Sequence, residues 1–154
     1  MLFIIVIVLF LYSLMIISFI IGWKRIQINT SNLMTKVSVI ISVRNESTNI
    51  KKLVRSLKNQ NYNKNLYDVI IVDDHSEDNS WKLLCQEKLN WPKLQLIAMD
   101  SNEHGKKKAL LKAINFSDSE IILTSDADCL FSPEWLKSMT SCFINDNIYL
   151  ASGP

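Results

Sequence analysis

Asp126 and Asp128, one residue apart around Ala127, close the apolar run Ile121-Ile122-Leu123-Thr124-Ser125. A strand that delivers such a pair to its end offers hard oxygen ligands, which suit Mg2+ or Mn2+. A cation held there can grip a diphosphate and steady it as a leaving group. The D-x-D pattern alone arises readily by chance, so its weight rests on its company. Two more polar clusters follow apolar runs: Ser42-Val43-Arg44-Asn45-Glu46 after residues 37–41, and Asp73-Asp74-His75-Ser76 after residues 67–72. Gly105-Lys106-Lys107-Lys108 opens a helical pattern, where a lysine and free backbone N–H groups bind phosphate. The bland reading makes two of these lysines a solvated face, Ser76 and Asp78 helix caps, and His75 a loop residue rather than a ligand. With three glycines and no G-x-G-x-x-G or Walker loop, a glycine-rich phosphate cradle is excluded.

The elements that must position these groups alternate regularly. Val37-Ser38-Val39-Ile40-Ile41 is β-branched and continuous, as a strand buried on both faces should be. Ile50, Leu53, Val54 and Leu57 recur at i, i+3, i+4 and i+7, which predicts one helix face. A second strand is predicted over 67–72, and Trp81, Leu84, Cys85 and Leu89 give a second helical stripe. A third strand covers 94–98. The next helix covers 106–115, with Ala109, Leu110, Ala113 and Ile114 inward. A fourth strand covers 120–124. Ser132 is expected to cap a fourth helix with Pro133 in its first position and Trp135, Leu136, Met139 and Phe143 inward. The apolar run 148–151 is expected to start a fifth strand.

Alternating strands and helices predict an α/β, Rossmann-like parallel sheet covered on both faces. Ligands of such sheets bind at the carboxyl ends of the strands, so the three polar clusters are expected on one rim. A receiver-type signalling domain also carries an acidic pair at a strand end. There the pair follows the first strand and a phosphoacceptor follows the third; here the pair follows the second strand and the third ends in Met99-Asp100.

Residues 2–21 carry no charge. About 20 residues at 1.5 Å rise span roughly 30 Å, the thickness of a bilayer core, which predicts a transmembrane helix over 1–22. A signal peptide fits poorly, because no Lys or Arg precedes the run, the run is long and no small-x-small site follows it. Trp23-Lys24-Arg25 and Lys36 put positive charge on the carboxyl side only, which predicts a single-pass cell-membrane anchor with a cytoplasmic body. Residues 23–36 read as a juxtamembrane tether and 37–154 as one α/β domain. A net charge of +2 gives no reason to expect nucleic acid. Cys85, Cys129 and Cys142 are odd in number without C-x-x-C spacing; they read as reduced, semi-buried thiols, not as a zinc site or disulfide frame.

The strand-end motifs, taken together and in order, resemble the family-2 glycosyltransferases with a GT-A fold, in the style of membrane-anchored bacterial members that build cell-surface polysaccharide or glycolipid. The resemblance covers 37–154. It implies a nucleotide-diphosphate sugar donor, UDP-sugar favoured by family habit, and a glycan or lipid acceptor at the membrane. It implies that Ser42 and Asp74 contact the uracil or ribose, Asp74 accepting from the base N–H, with Asp73 beside them and Arg44 and Glu46 lining the same pocket. Asp126 would lie near the ribose and metal, Asp128 would ligate the Mg2+ or Mn2+ that bridges the diphosphate, and Lys106 would approach the nucleotide. The family often has Gly where His75 stands. It also places an acceptor-binding half with the general base after the D-x-D. No catalytic base is identified here: Asp146 falls in a polar turn that solvation explains. The resemblance thus implies the donor-binding half of an enzyme whose base lies beyond Pro154. The alternative is a non-catalytic nucleotide-sugar-binding remnant.

Overall fold

The computed structural model describes residues 2–25, 35–144 and 147–153. Most of the expected tether, and Asp146, lie outside the described residues. Helix α1 is Leu2–Arg25. Within it Phe3–Gly22 has a mean hydropathy of 3.1 and is 0% buried, long and apolar enough to cross a membrane by length and composition. Two of its hydroxyls are satisfied within the helix. The Ser13 and Ser18 hydroxyls donate to the Leu9 and Met15 carbonyls at 2.8 and 2.7 Å.

The remaining elements run β1 Val37–Val43, α2 Ile50–Lys58, β2 Tyr67–Asp73, α3 Ser80–Asn90, β3 Leu94–Ala98, α4 Lys106–Phe116, β4 Ile121–Asp126 and α5 Trp135–Ser141, with a 3-10 turn over Cys142–Ile144. The four strands are parallel in the order β3-β2-β1-β4. Alternation along each strand divides the core in two. Val37, Val39, Ile41 and Val43 face one side, where Ile50, Leu53, Val54 and Leu57 of α2, Leu84 of α3 and Leu136 of α5 pack on them. Ile40, Ile70 and Val72 face the other, covered by Ala109 and Ala113 of α4. The small alanines let α4 lie close to the sheet. Burying each large aliphatic side chain contributes about 1.5–3 kcal/mol.

Topology fixes where a ligand can enter. The chain steps outward from β1 to β2 to β3, then crosses back over α4 to place β4 on the other flank of β1. The strand order therefore reverses between β1 and β4, which opens a crevice at their carboxyl ends. Ser42 pairs with Asp126 across that reversal and with Val72 on its other side. Strand β4 reaches Asp126, two residues beyond the predicted end, so the first carboxylate of the pair belongs to the sheet.

Four expectations are corrected. The predicted fifth strand is absent among the described residues: 147–151 form no ladder, and Tyr149 and Leu150 are each 88% exposed. Residues 148–151 pass beside β4 around a cavity of about 440 Å3 that Trp135 and Met139 of α5 also line, and they do not pair with the strand. The α3 stripe is narrower than predicted. Ser80 and Leu84 are buried, whereas Trp81, Cys85 and Leu89 are exposed, because α3 packs on α2 and on the sheet's outer strand β3. All three cysteines are exposed rather than semi-buried. Helix α5 begins later than Ser132 and Pro133 suggest: Glu134 is its N-cap, with no side-chain cap bond. Buried Gln60, at the end of α2, supplies the missing acceptor through Oε1 to the Leu136 N–H at 3.0 Å.

Candidate functional site

The carboxyl rim is built from loops that hydrogen-bond to one another. After β1 the chain turns through Asn45 in the left-handed region at φ 56°. There the Asn45 N–H donates to Ser76 Oγ at 3.0 Å and its Oδ1 accepts from the Glu77 N–H at 2.8 Å. The Glu46 N–H donates to Ser80 Oγ at 2.8 Å, and Asp78 accepts from the N–H groups of Ser47 and Ser80 at 3.0 and 2.8 Å. Bonds from Ser80 and then Ser47 hold the Asp78 carboxyl below the usual carboxylate range. Asp78 thus serves the start of α3 as expected, but Ser76 does not: its hydroxyl holds the β1 loop instead. The Glu46 carboxylate also looks inward, accepting from Asn49 Nδ2 at 2.7 Å.

At the end of β2, Asp73 and Asp74 are 6% and 4% exposed. Asp73 Oδ2 accepts the Ser76 N–H at 3.1 Å, while its Oδ1 is buried without a partner. Asp74 extends the sheet by one bond, donating its N–H to the Val43 carbonyl at 2.9 Å. Its carboxylate accepts from the Gly105 N–H at 2.9 Å and meets His75 Nδ1 at 3.0 Å. Burial pushes this carboxyl up. The bonds from His75 and Gly105, with the Arg44 guanidinium nearby, outweigh burial and hold it below the usual range. Asp74 is therefore a buried anion held ready, the state a base-binding acceptor needs.

Gly105 ends the loop after β3 with φ 100° and ψ 146°, a backbone that an L side chain resists. It aims one N–H at Asp74 and starts α4 with Lys106, whose ammonium pairs with Asp126 Oδ1. Ala127, 6% exposed, anchors the next turn in the core, and the Cys129 N–H closes that turn on the Asp126 carbonyl at 3.3 Å. The flanking carboxylates Asp126 and Asp128 are both exposed. An inward alanine between two outward acids is what a hard divalent cation needs: two oxygen donors, with the other positions left to water or a diphosphate. The donor set fits Mg2+ or Mn2+ in its chemistry.

Of the residues singled out in the sequence, the structure brings Ser42 and Asp126 into register and joins Lys106 to Asp126. It sets Asp74 at the foot of the Gly105 turn, in the field of Arg44. Glu46 turns to its own loop. The residue sequence reasoning missed is His104. The rings of His75 and His104 lie 4.3 Å apart, and one ligand atom from each, with one from Asp74, falls within 4.8 Å of the others. The available signal was that both histidines of the chain sit in loops following strands.

The sequence matches the family model described as glycosyl transferase family 2 over residues 38–153. The chain belongs to glycosyl transferase family 2. A curated relative in that style, the undecaprenyl-phosphate 4-deoxy-4-formamido-L-arabinose transferase of Proteus mirabilis, is 35% identical over 108 residues, covering 69% of this chain and 33% of that protein. The mannosyltransferase PcManGT of Pyrobaculum calidifontis, solved with GDP-Man and Mn2+, superposes with a TM-score of 0.71 over 82% of this chain and 38% of its own; at 22% identity it speaks for the fold. Staphylococcus aureus TarS 1–349 in complex with UDP-GlcNAc gives a TM-score of 0.62 at 28% identity, covering 69% of this chain and 30% of its own. The family-2 sheet and its flanking helices are thus a Rossmann-like GT-A fold. This chain spans 16% to 38% of the length of curated relatives it matches.

Proposed function

We propose that this chain is the donor-binding half of a membrane-anchored, metal-dependent glycosyltransferase that moves a sugar from a nucleotide-diphosphate donor to a glycan or lipid acceptor. The observation that supports the reading is the linkage of Ser42, Asp126 and Lys106, with Asp74 bonded to the adjoining Gly105, at the strand-order reversal of a family-2 fold.

In this reading the base and ribose sit over Ser42 and Asp74. Asp74 stays ionised at neutral pH, so it accepts from the base N–H, and Arg44 and Asp73 shape the same pocket. Mg2+ or Mn2+ on Asp128 and Asp126 supplies Lewis-acid charge neutralisation to the departing diphosphate. Lys106 is within reach of the same oxygens and exchanges its Asp126 contact for phosphate, so positive charge stays at the rim before and after the donor arrives. UDP is favoured over GDP; TarS and PcManGT carry the two nucleotides respectively. Inverting transfer also needs a base on the acceptor hydroxyl, which the family pattern places after the D-x-D pair. Residues 1–22 anchor the chain, 23–36 tether it and 37–154 bind the donor, on the cytoplasmic side of the cell membrane. The Proteus mirabilis relative is named for transfer to undecaprenyl phosphate, which supports a membrane acceptor.

Calorimetry on the detergent-solubilised chain tests the donor site. UDP with Mn2+ is expected to give a binding signal that Asp128→Ala weakens at least about 10-fold, the scale of one lost metal ligand. No signal, or the same affinity in Asp128→Ala, defeats the reading.

A further inference from the structure

Asp74, His75 and His104 form a second cluster of ligand-type side chains, apart from the Asp126–Asp128 pair. His75 is held in the left-handed region at φ 58°, a conformation a non-glycine residue adopts at a cost of about 1 kcal/mol or more. That backbone turns its ring onto the ring of His104, 4.3 Å away. His75 Nδ1 lies 3.0 Å from Asp74 Oδ1, so the ring nitrogen and the carboxylate face the same point. Nε2 is buried and accepts no hydrogen bond. That nitrogen points away from Asp74, so Nδ1 is the ligand atom: a metal replaces its proton and meets the Asp74 carboxylate and a His104 nitrogen, all within 4.8 Å of one another.

We propose that Asp74, His75 and His104 bind a borderline transition metal, Zn2+ first, and that its occupancy closes the nucleotide-base pocket. Two imidazole nitrogens and one carboxylate oxygen select Zn2+, Co2+ or Cu2+ over Mg2+, which takes all-oxygen shells. Bonds of about 2 Å at tetrahedral angles put ligand atoms roughly 3.3 Å apart. The three ligand atoms lie within 4.8 Å of one another, so a side-chain movement on the order of 1 Å completes the site. His104 is exposed and precedes Gly105, which leaves it free to make that movement. The fourth position takes water. Closure of the pocket rests on the donor reading, since Asp74 cannot serve a metal and a base N–H together.

Titration of the full chain in detergent with CoCl2, without nucleotide, reads the site directly through the visible ligand-field bands of Co2+. Bands that are displaced by ZnCl2 and weakened at least about 10-fold by His104→Ala and by His75→Asn support the proposal. Asn tolerates the left-handed backbone, so His75→Asn keeps the loop, and exposed His104 is replaced without disturbing the core. Persistence of the bands in Asp126→Asn/Asp128→Asn separates this site from the D-x-D pair. No bands in the wild type, bands unchanged in His104→Ala, or sulfur-to-cobalt charge transfer from Cys129 each overturn it. Addition of UDP is expected to bleach the bands. If UDP with Mn2+ binds yet leaves them intact, the closure is overturned. If UDP does not bind at all, the donor reading fails while the cobalt spectrum still decides the metal site.

Discussion

Gln60 gives the most demanding test of how this rim is supported. It is 2% exposed at the end of α2, and its amide is fully used. Nε2 donates to the carbonyls of Ser56 at 3.0 Å and Ser132 at 2.8 Å, and Oε1 accepts the Leu136 N–H at 3.0 Å. Leu136 is buried in the second residue of α5, so its amide is one of the free donors that every helix start must satisfy. Gln60 therefore caps from another element the helix that closes the loop carrying Asp126 and Asp128. Gln60→Leu strands the Leu136 N–H, at a cost of about 1–3 kcal/mol, and removes two carbonyl bonds of roughly 0.5–1.5 kcal/mol each. The added apolar burial returns about 1–2 kcal/mol. The net loss is about 2–3 kcal/mol, which at roughly 4 °C per kcal/mol for a domain of this size lowers Tm by about 8–12 °C. Gln60→Glu keeps an acceptor for Leu136 but sets a buried carboxylate against the Ser56 and Ser132 carbonyls, and is expected to lower Tm at least as far as Gln60→Leu. Thermal unfolding followed by circular dichroism measures the series. A Gln60→Leu melt within about 2 °C of wild type would refute the reasoning, because it would mean that the amide finds another partner at no cost.

Three further outcomes follow from the same geometry. Gly105→Ala places a Cβ where nothing lies within 4 Å, so its cost is backbone strain alone, about 1–2 kcal/mol at φ 100°; the urea midpoint is expected to fall for Gly105→Ala and to hold for exposed Lys107→Ala, and equal midpoints would remove the strain argument. Asp74 has its pKa lowered in the folded chain, so its contribution to stability is full above its ordinary value of 3.8 and is lost as pH falls through the lower folded value. Melts between pH 2 and 6 should therefore show an acid limb below about pH 4. Asp74→Asn is expected to flatten that limb, and an unchanged limb contradicts the assignment. Cys85 is exposed, and in a Cys129→Ser/Cys142→Ser background an impermeant maleimide is expected to leave it unlabelled on intact cells and to label it after lysis; labelling from outside would reverse the topology.

What the sequence made legible were the features with a local cause. The stripe Ile50, Leu53, Val54, Leu57 is buried in full because one face of α2 meets the sheet, so periodicity and packing ask for the same residues. Parallel strands buried on both faces read as continuous β-branched runs, and β1 and β2 both did. The misses share a non-local cause. The run 148–151 is as apolar as a strand but lacks the ladder that makes one. The cap of α5 comes from Gln60, far away in the chain, which no spacing rule around Ser132 could find. Within the candidate site, Asp74, Asp126 and Lys106 were visible because a strand end or helix start is itself a sequence signal. His104 was not, since only the turn at Gly105 brings its ring onto His75.

The backbone offers an independent argument for where the function lies. Among the described residues, positive φ occurs at Asn45, His75 and Gly105. These follow β1, β2 and β3 in turn, so each of the first three strand ends opens into a loop that breaks the ordinary conformational preference. At Asn45 the unusual turn lets one side chain and one N–H hold the next loop, and at Gly105 it aims an N–H at Asp74. At His75 it holds a bulky ring over the acid that the donor reading assigns to the base. Glycine there would relieve strain of about 1 kcal/mol and would lose the ring contact with His104. The bond to Asp74 and the contact with His104 offset part of that strain and fix the ring over the rim. Retaining it makes sense if the ring acts on what enters the pocket, by lining it for the base or by closing it with a metal. His75→Gly relieves the backbone strain but loses the bond to Asp74, so Tm is expected to change little while whichever ligand the ring serves binds more weakly; nucleotide and cobalt binding both intact would leave the ring without a role.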